Sequence, residues 1–215
     1  MLSPAAGPVP MQRTAGAECF REAMDEQTRS GDDDLTERLA ADLDDGFESL
    51  VGVHADRLFS IALRVLGNRA DAEEAAQDAF VRAYRALEGY EPDRIRALRL
   101  RAWLATIVVN VCRNRTRVRR VATTQLAFEP GAEPAADPLA RRDLRDTWAA
   151  LLARLPPAQR TAIVLRHVDG LSYAEMAEAL GRPEGTLKAQ VHRGLAALRE
   201  AILAIERRDR EELTA

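Results

Sequence analysis

The sequence predicts an all-α protein of two small helical domains joined by a flexible linker. Three observations lead there. Apolar residues recur at steps of three and four through most of residues 47–120 and 143–200, which is the period of one face of a helix. Between these stretches, residues 121–142 carry Pro130, Gly131, Pro134 and Pro138, a composition that keeps a chain extended and unpacked. Aromatic residues are only 5% of the chain while Ala, Leu and Arg recur throughout, a mixture that favours helix over strand. A length of 215 residues accommodates two such domains with unstructured ends.

Residues 1–46 hold eleven acids and four arginines, among them the run Asp32-Asp33-Asp34. A segment this charged, rich in Ala, Gly, Pro and Ser, buries too little to fold alone. It is expected to be a disordered acidic arm with at most a weak helix near Leu35 to Leu43. Its alternative use is as a cover for a basic stripe or a contact for a partner. From Phe47 the helical pattern is strong: Phe47, Leu50, Val51, His54, Leu58, Ile61, Ala62 and Val65, broken at Gly67-Asn68. A second helix is expected to start near Asp71 with Glu74 as its capping pair, and to bury Ala72, Ala76, Ala79, Phe80, Ala83 and Leu87. Glu88 to about Leu98, with Gly89 and Pro92, reads as a loop. A third helix follows from about Arg101 to Arg119, with Leu104, Ile107, Val108 and Val111 inward. These helices make one bundle of three to four helices over residues 47–120.

The second domain, residues 143–205, contains the most specific pattern in the chain. In LSYAEMAEALGRPEGTLKAQVHRGLAALR, residues 171–199, Ser172 and Glu175 form a capping box. Leu171, Met176, Ala177 and Leu180 are the expected inner face. Gly181 ends this short helix, and Pro183 begins the next, which is expected to run to about Arg199. Two helices joined by a tight glycine turn are a helix-turn-helix, whose second helix enters the DNA major groove by its N-terminal end. Arg182, Glu184, Gly185, Thr186, Lys188, Gln190, His192 and Arg193 are therefore the candidate duplex contacts, with Val191, Leu195 and Leu198 on the core side. Trp148, Leu151, Leu152, Leu155, Ile163, Val164 and Leu165 supply two supporting helices, interrupted at Pro156-Pro157. The charged last ten residues are expected to fray. A packed helical hairpin with a solvated face would share parts of this pattern, but not the cap, small residue, glycine turn and polar helix start together.

The net charge of −3 hides a segregation. Residues 94–120 contain nine arginines and no acid, a balance of +9, against −7 for residues 1–46. Such a stripe repels itself unless an anion is near. On the third helix Asn110, Arg113, Asn114, Arg117 and Arg120 project amides and guanidiniums suited to a phosphate backbone and splayed bases. Trp103 reads as core and not as a stacking platform, and Cys112 as a small buried residue.

At these residues the chain resembles a known family. Asp71-Ala72-Glu73-Glu74-Ala75-Ala76-Gln77-Asp78-Ala79-Phe80, with Arg101-Ala102-Trp103-Leu104 running into Asn110 and Arg113, resembles domain two of extracytoplasmic-function sigma factors. Leu155-Pro156-Pro157 and Leu171 to Arg199 resemble their domain four. The resemblance implies promoter-specific transcription initiation on RNA polymerase core. Glu74, Gln77, Asp78 and Arg82 would dock on the clamp helices of the largest subunit, with the β-flap as a further contact. The loop Glu88 to Leu100 and the third helix would hold the non-template strand of the −10 element of promoter DNA. The helix from Pro183 would read the −35 element, and an anti-sigma factor is an implied partner. Arg94 to Leu100 departs from the shorter Gly- or Ser-containing stretch of many members, and Gln190 stands where arginine is frequent.

Other classes fit less well. An operator-binding regulator would share the helix-turn-helix but bind duplex DNA alone. An enzyme lacks support: Glu73 and Glu74 are adjacent and point apart on a helix, and the three histidines have no evident acid or nucleophile. No cofactor or metal is called for, since Cys19 and Cys112 sit in no metal-binding or redox pair. No apolar run approaches the roughly 18 residues of a membrane span, and the N-terminus lacks the pattern of a signal peptide. A cytoplasmic protein is expected.

Overall fold

Helix α2, Leu43–Leu66, starts where the Asp42 carboxylate accepts from the backbone N–H groups of Asp44 and Asp45. It stops at Gly67, whose φ of +76° costs no Cβ clash and lets its N–H close on the Leu63 carbonyl. The computed structural model describes residues 31–125 and 144–214, and these contain helices and no strand. Helix α3, Arg69–Glu88, is capped by Asn68, which accepts from the Asp71 N–H at 3.0 Å. The cap is thus three residues earlier than the expected Asp71–Glu74 pair, because Asn68 already has extended backbone and a short acceptor side chain. Ala72, Ala75, Ala76, Ala79 and Ala83 are buried, so α3 approaches its neighbours closely. Helix α5, Leu100–Gln125, closes the bundle with Leu104, Ala105, Val108, Val109 and Val111 in the core.

Three expectations for this half are corrected. The arm, expected to be disordered with at most a weak helix near Leu35 to Leu43, carries a docked helix there. Residues 31–41 form a helix, α1, which buries Leu35 and Leu39. Composition averaged over the arm outweighed those two leucines, four residues apart on one face, so that their helix was read as weak. The loop from Glu88 to Leu98 contains a one-turn helix, α4, Pro92–Arg96, anchored by buried Ile95. Helix α5 continues to Gln125, into the stretch expected to be linker. The remainder of that linker and residues 1–30 lie outside the described residues.

Cys112 is buried in this core, and burial pushes its thiol up to about 12. A thiol held protonated and covered does not react. In a Cys19→Ser variant, Ellman's reagent is expected to find no reactive thiol at neutral pH until denaturant unfolds the bundle. Fast titration in the native state would contradict this packing.

The second half comprises α6 (Leu144–Ala153), α7 (Pro157–Ile163), a π-helical turn (Val164–Val168), α8 (Tyr173–Leu180) and α9 (Glu184–Thr214). The stripe of α9 that packs is Leu187, Val191, Gly194 and Leu198. A Cβ on Gly194 would come within 2.6 Å of the Ile163 side chain, so α7 crosses there. Leu195, expected in the core, is one position around the helix and is exposed; Trp148 is exposed likewise. The expected fraying of the last ten residues is not seen as far as Thr214, which is still helical. Half-buried Ile202 and Ile205 extend the packed stripe and carry α9 to Thr214.

The two halves meet through charge. The π turn, closed by the Asp169 N–H on the Val164 carbonyl at 2.9 Å, delivers a buried Asp169 toward the first domain. Arg57 of α2 grips both its carboxylate oxygens, at 2.6 and 2.7 Å, and also donates to the Arg101 carbonyl. Arg101 in turn donates to the Asp169 carbonyl at 2.6 Å. Arg160 of α7 donates to the Val65 carbonyl at 2.9 Å, at the C-terminal end of α2 where carbonyls lack helical partners. Desolvation lowers the pKa of Arg160.

Candidate nucleic-acid interface

On α5, Asn110, Arg113, Asn114 and Arg117 are all exposed. Their spacing of three and four places them on one face. The side chain of Arg120 lies outside the described residues. The +9 stripe is partly consumed internally. Arg96 pairs with Glu37 of α1 and with Asp93, Arg101 is tied to Asp169, and Arg115 to α3. Arg94 lies over the Tyr90 ring at 3.7 Å, and Tyr90 packs against half-buried Trp103. Trp103 is therefore a support for the loop, in line with its reading as core.

On α3, Glu74, Gln77, Asp78 and Arg82 are exposed along one line. Two of them are not solitary: one Arg115 nitrogen reaches a Glu74 oxygen and another reaches an Asp78 oxygen, both at 2.7 Å. The helical pattern of α5 gave no sign of this, because it says nothing about what the neighbouring helix offers.

The helix-turn-helix is built as its sequence suggests. The Ser172 hydroxyl accepts from the Glu175 N–H, and the Glu175 carboxylate accepts from the Ser172 N–H at 2.8 Å. Gly181 takes φ +60° and turns the chain. Glu184, Gly185, Thr186, Lys188, His192 and Arg193 are exposed at and beyond the start of α9, and Arg182 is half-exposed. Lys188 pairs with Glu184 at 3.1 Å and lies over the Tyr173 ring. Gln190 is the correction. It is only 8% exposed and its amide lies between the Ala158 carbonyl and the Arg182 guanidinium, so it braces α7 against the turn. Leu187, Val191 and Gly194 define the packed side, and Gln190 sits beside them instead of facing outward.

Burial pushes the Glu175 carboxyl up, but the Ser172 hydrogen bonds and the nearby Arg99 and Arg101 outweigh it, and its pKa is net lowered. A carboxyl depressed in the folded state stabilises fully above its unfolded pKa and ceases to do so as pH falls through the folded value. Glu175→Gln keeps the capping geometry without the titration. Urea unfolding of the two proteins is expected to show a stability gap near neutral pH that closes in acid. A gap independent of pH would show that the charge is immaterial.

In the present arrangement Arg113 of α5 lines the same cleft, of about 190 Å³, as Leu180, Arg182 and Gln190. The two candidate reading surfaces thus sit side by side.

The sigma-70 region 2 family matches residues 50–121, and sigma-70 region 4 matches residues 145–198. The ECF RNA polymerase sigma factor SigW of Bacillus subtilis is 32% identical over 172 residues, 74% of this chain and 89% of its own length. The chain belongs to the ECF sigma factors. SigE of Mycolicibacterium smegmatis is 34% identical over 72% of this chain, which spans 60% of that relative's length. CarQ of Myxococcus xanthus is 34% identical over 79% of this chain and 97% of its own. Among solved structures, CnrH in complex with the cytosolic domain of CnrY has a TM-score of 0.60 at 28% identity, covering 80% of this chain and 97% of that one. RpoE in complex with the anti-sigma factor NepR from Bartonella quintana has a TM-score of 0.61 at 26% identity, covering 73% and 96%. The resemblance drawn from sequence is thereby borne out, and the operator-binding regulator is set aside. The chain is an RNA polymerase sigma factor acting in promoter-specific transcription. No described helix is long and apolar enough to cross a membrane, and no described cluster of His, Cys, Asp and Glu is arranged to hold a metal.

Proposed function

We propose that this sigma factor divides promoter reading between its two domains. The exposed α5 face of Asn110, Arg113, Asn114 and Arg117 takes the −10 non-template strand, with Arg120 a further contact by its place in the sequence. The start of α9, through Arg182, Glu184, Gly185, Thr186, Lys188, His192 and Arg193, reads the −35 duplex. Gln190 acts from beneath that surface by holding Arg182. Glu74, Gln77, Asp78 and Arg82 on α3 dock on the clamp helices of the polymerase core, and the second domain meets the β-flap. The observation that carries this reading is the pair of exposed polar faces on separate domains, each within one of the two family matches. Phosphate contacts supply affinity and base contacts supply selection, so the protein binds without making or breaking covalent bonds. An anti-sigma factor is the proposed cytoplasmic regulator. Support for it is the similarity to RpoE, which is seen with its anti-sigma factor NepR.

Run-off transcription and electrophoretic shifts over a promoter library, with and without purified core polymerase, test this. Promoter binding and initiation that require core are expected. Tight binding to duplex operators by the protein alone, with no core-dependent initiation at any promoter, would overturn the reading.

A further inference from the structure

We infer that Arg115 is a positioning residue for polymerase docking, although it lies on the helix assigned to DNA. This rests on the proposed docking role of α3. Arg115 points about 100° around α5 from Asn114, away from the Asn110–Arg117 face and toward α3. Its guanidinium forks: one terminal nitrogen takes Glu74 Oε2 and the other takes Asp78 Oδ2. Those hydrogen bonds, Asp78 first, raise its pKa, so the guanidinium stays charged. The arginine side chain is 28% exposed, against 66% for Glu74 and 50% for Asp78. The guanidinium therefore lies beneath the two carboxylates, and they lie above it, toward solvent.

Two consequences follow. Glu74 and Asp78 are one helical turn apart, where like charges repel. Arg115 relieves that repulsion and fixes both rotamers while engaging one oxygen of each. Glu74 Oε1 and Asp78 Oδ1 remain as acceptors, and an ionised carboxylate has lone pairs for more than one donor. A basic group on the polymerase thus meets two carboxylates already oriented, and loses less side-chain freedom on docking. The same bridge spans two helices with different tasks. It fixes the rotation of the DNA-reading half of α5 against the docking face of α3, so that a sigma factor seated on core presents Asn110 and Asn114 in one orientation.

The alternative sign is also physical. A cation beneath the carboxylates could repel an incoming cation and weaken docking. Pre-orientation is favoured because the bridge engages only one oxygen of each carboxylate and both side chains are well exposed, so solvent screens the arginine.

The test is a thermodynamic cycle on the full-length protein with core polymerase, read by fluorescence anisotropy. Arg115→Ala is expected to weaken core binding roughly tenfold, as two rotamer-rich side chains lose their shared anchor. In a Glu74→Gln, Asp78→Asn background the same substitution is expected to have no further effect on core binding. Arg115→Lys, which lacks the fork, is expected to restore only part of the loss. Thermal melting of each variant separates unfolding from docking. Tighter core binding by Arg115→Ala, or an equal loss in both backgrounds, would overturn the inference. Should the double carboxylate variant itself bind core normally, the docking role of α3 fails instead, and that outcome is distinguishable because it needs no Arg115 variant.

Discussion

Replacing Asp169 with alanine is expected to separate the two domains. In the closed arrangement its carboxylate is buried and takes both ends of a bidentate Arg57 fork, while Arg101 holds its backbone carbonyl. Without that carboxylate, the Arg57 guanidinium would stay largely out of water with no opposing charge. Removing one partner of a buried ion pair costs about 3–5 kcal/mol. The cost falls on the closed form alone, because in separated domains Arg57 returns to solvent. The closed–open equilibrium should therefore move by about two orders of magnitude or more. Small-angle scattering is expected to show a larger radius of gyration, and a dye pair across the domains a loss of energy transfer. The functional direction follows from the cleft shared by Arg113, Arg182 and Gln190. On the proposed division of promoter reading, surfaces packed side by side cannot grip two elements that lie apart along the duplex, and separation of the domains on DNA is the expected result. A protein whose competent state is more populated binds with higher apparent affinity. Asp169→Ala should form the promoter complex at lower sigma factor concentration with saturating core. An unchanged radius of gyration would show that apolar packing and the Arg160–Val65 contact hold the halves together without this ion pair.

The second large effect is expected from Gly46→Ala. Gly46 lies in the first turn of α2, against the end of α1. A Cβ there would come within 2.6–2.8 Å of backbone atoms of Leu39 and Arg38. Backbone cannot swing aside as a side-chain tip can, so α1 must move off. Its departure exposes Leu35 and Leu39, and burial of each such side chain stabilises by about 1.5–3 kcal/mol. Part of that loss is returned as the freed helix regains conformational entropy, so a net cost of about 2–3 kcal/mol is expected. Hydrogen exchange should localise it, with amides of residues 35–41 losing protection while those of α3 and α5 keep theirs. Uniform loss across the bundle would mean that α1 is integral to the first domain, and no loss would mean that it is not docked in solution. The Glu37–Arg96 pair would break with it. As an exposed pair it contributes little to stability, but its loss returns one arginine of the basic stripe to solvent.

Local chemistry was legible in the sequence and long-range pairing was not. The capping box at Ser172 and Glu175, the turns at Gly67 and Gly181, and the alternation of packed and exposed positions on α5 each depend on residues within four of one another. Each took the form its spacing suggests. Arg57 and Asp169 are 112 residues apart, and nothing in either neighbourhood marks them as partners. Arg115 reads as one more member of a basic run until α3 places two carboxylates over it. Gln190 illustrates a finer limit. Helical periodicity puts it at the edge of the packed stripe, and whether an edge residue faces water depends on where α7 crosses. The short α1 registered only as a weak helix, and its docking was missed for a different reason. Two buried leucines suffice to dock a helix that the composition of its surroundings argues against.

The π turn at Val164–Val168 has an implication for how the domain contact is inherited. The turn is wound wider than an α-helix, its closing hydrogen bond reaching from the Asp169 N–H five residues back to the Val164 carbonyl. The same residues wound as an ordinary α-helix would carry the Asp169 carboxylate about 100° around the axis, with every side chain of the ion pair still present. The coupling between the domains thus depends on the winding of one turn, and a comparison of sequences that scores only the ion-pair residues would pass over its loss.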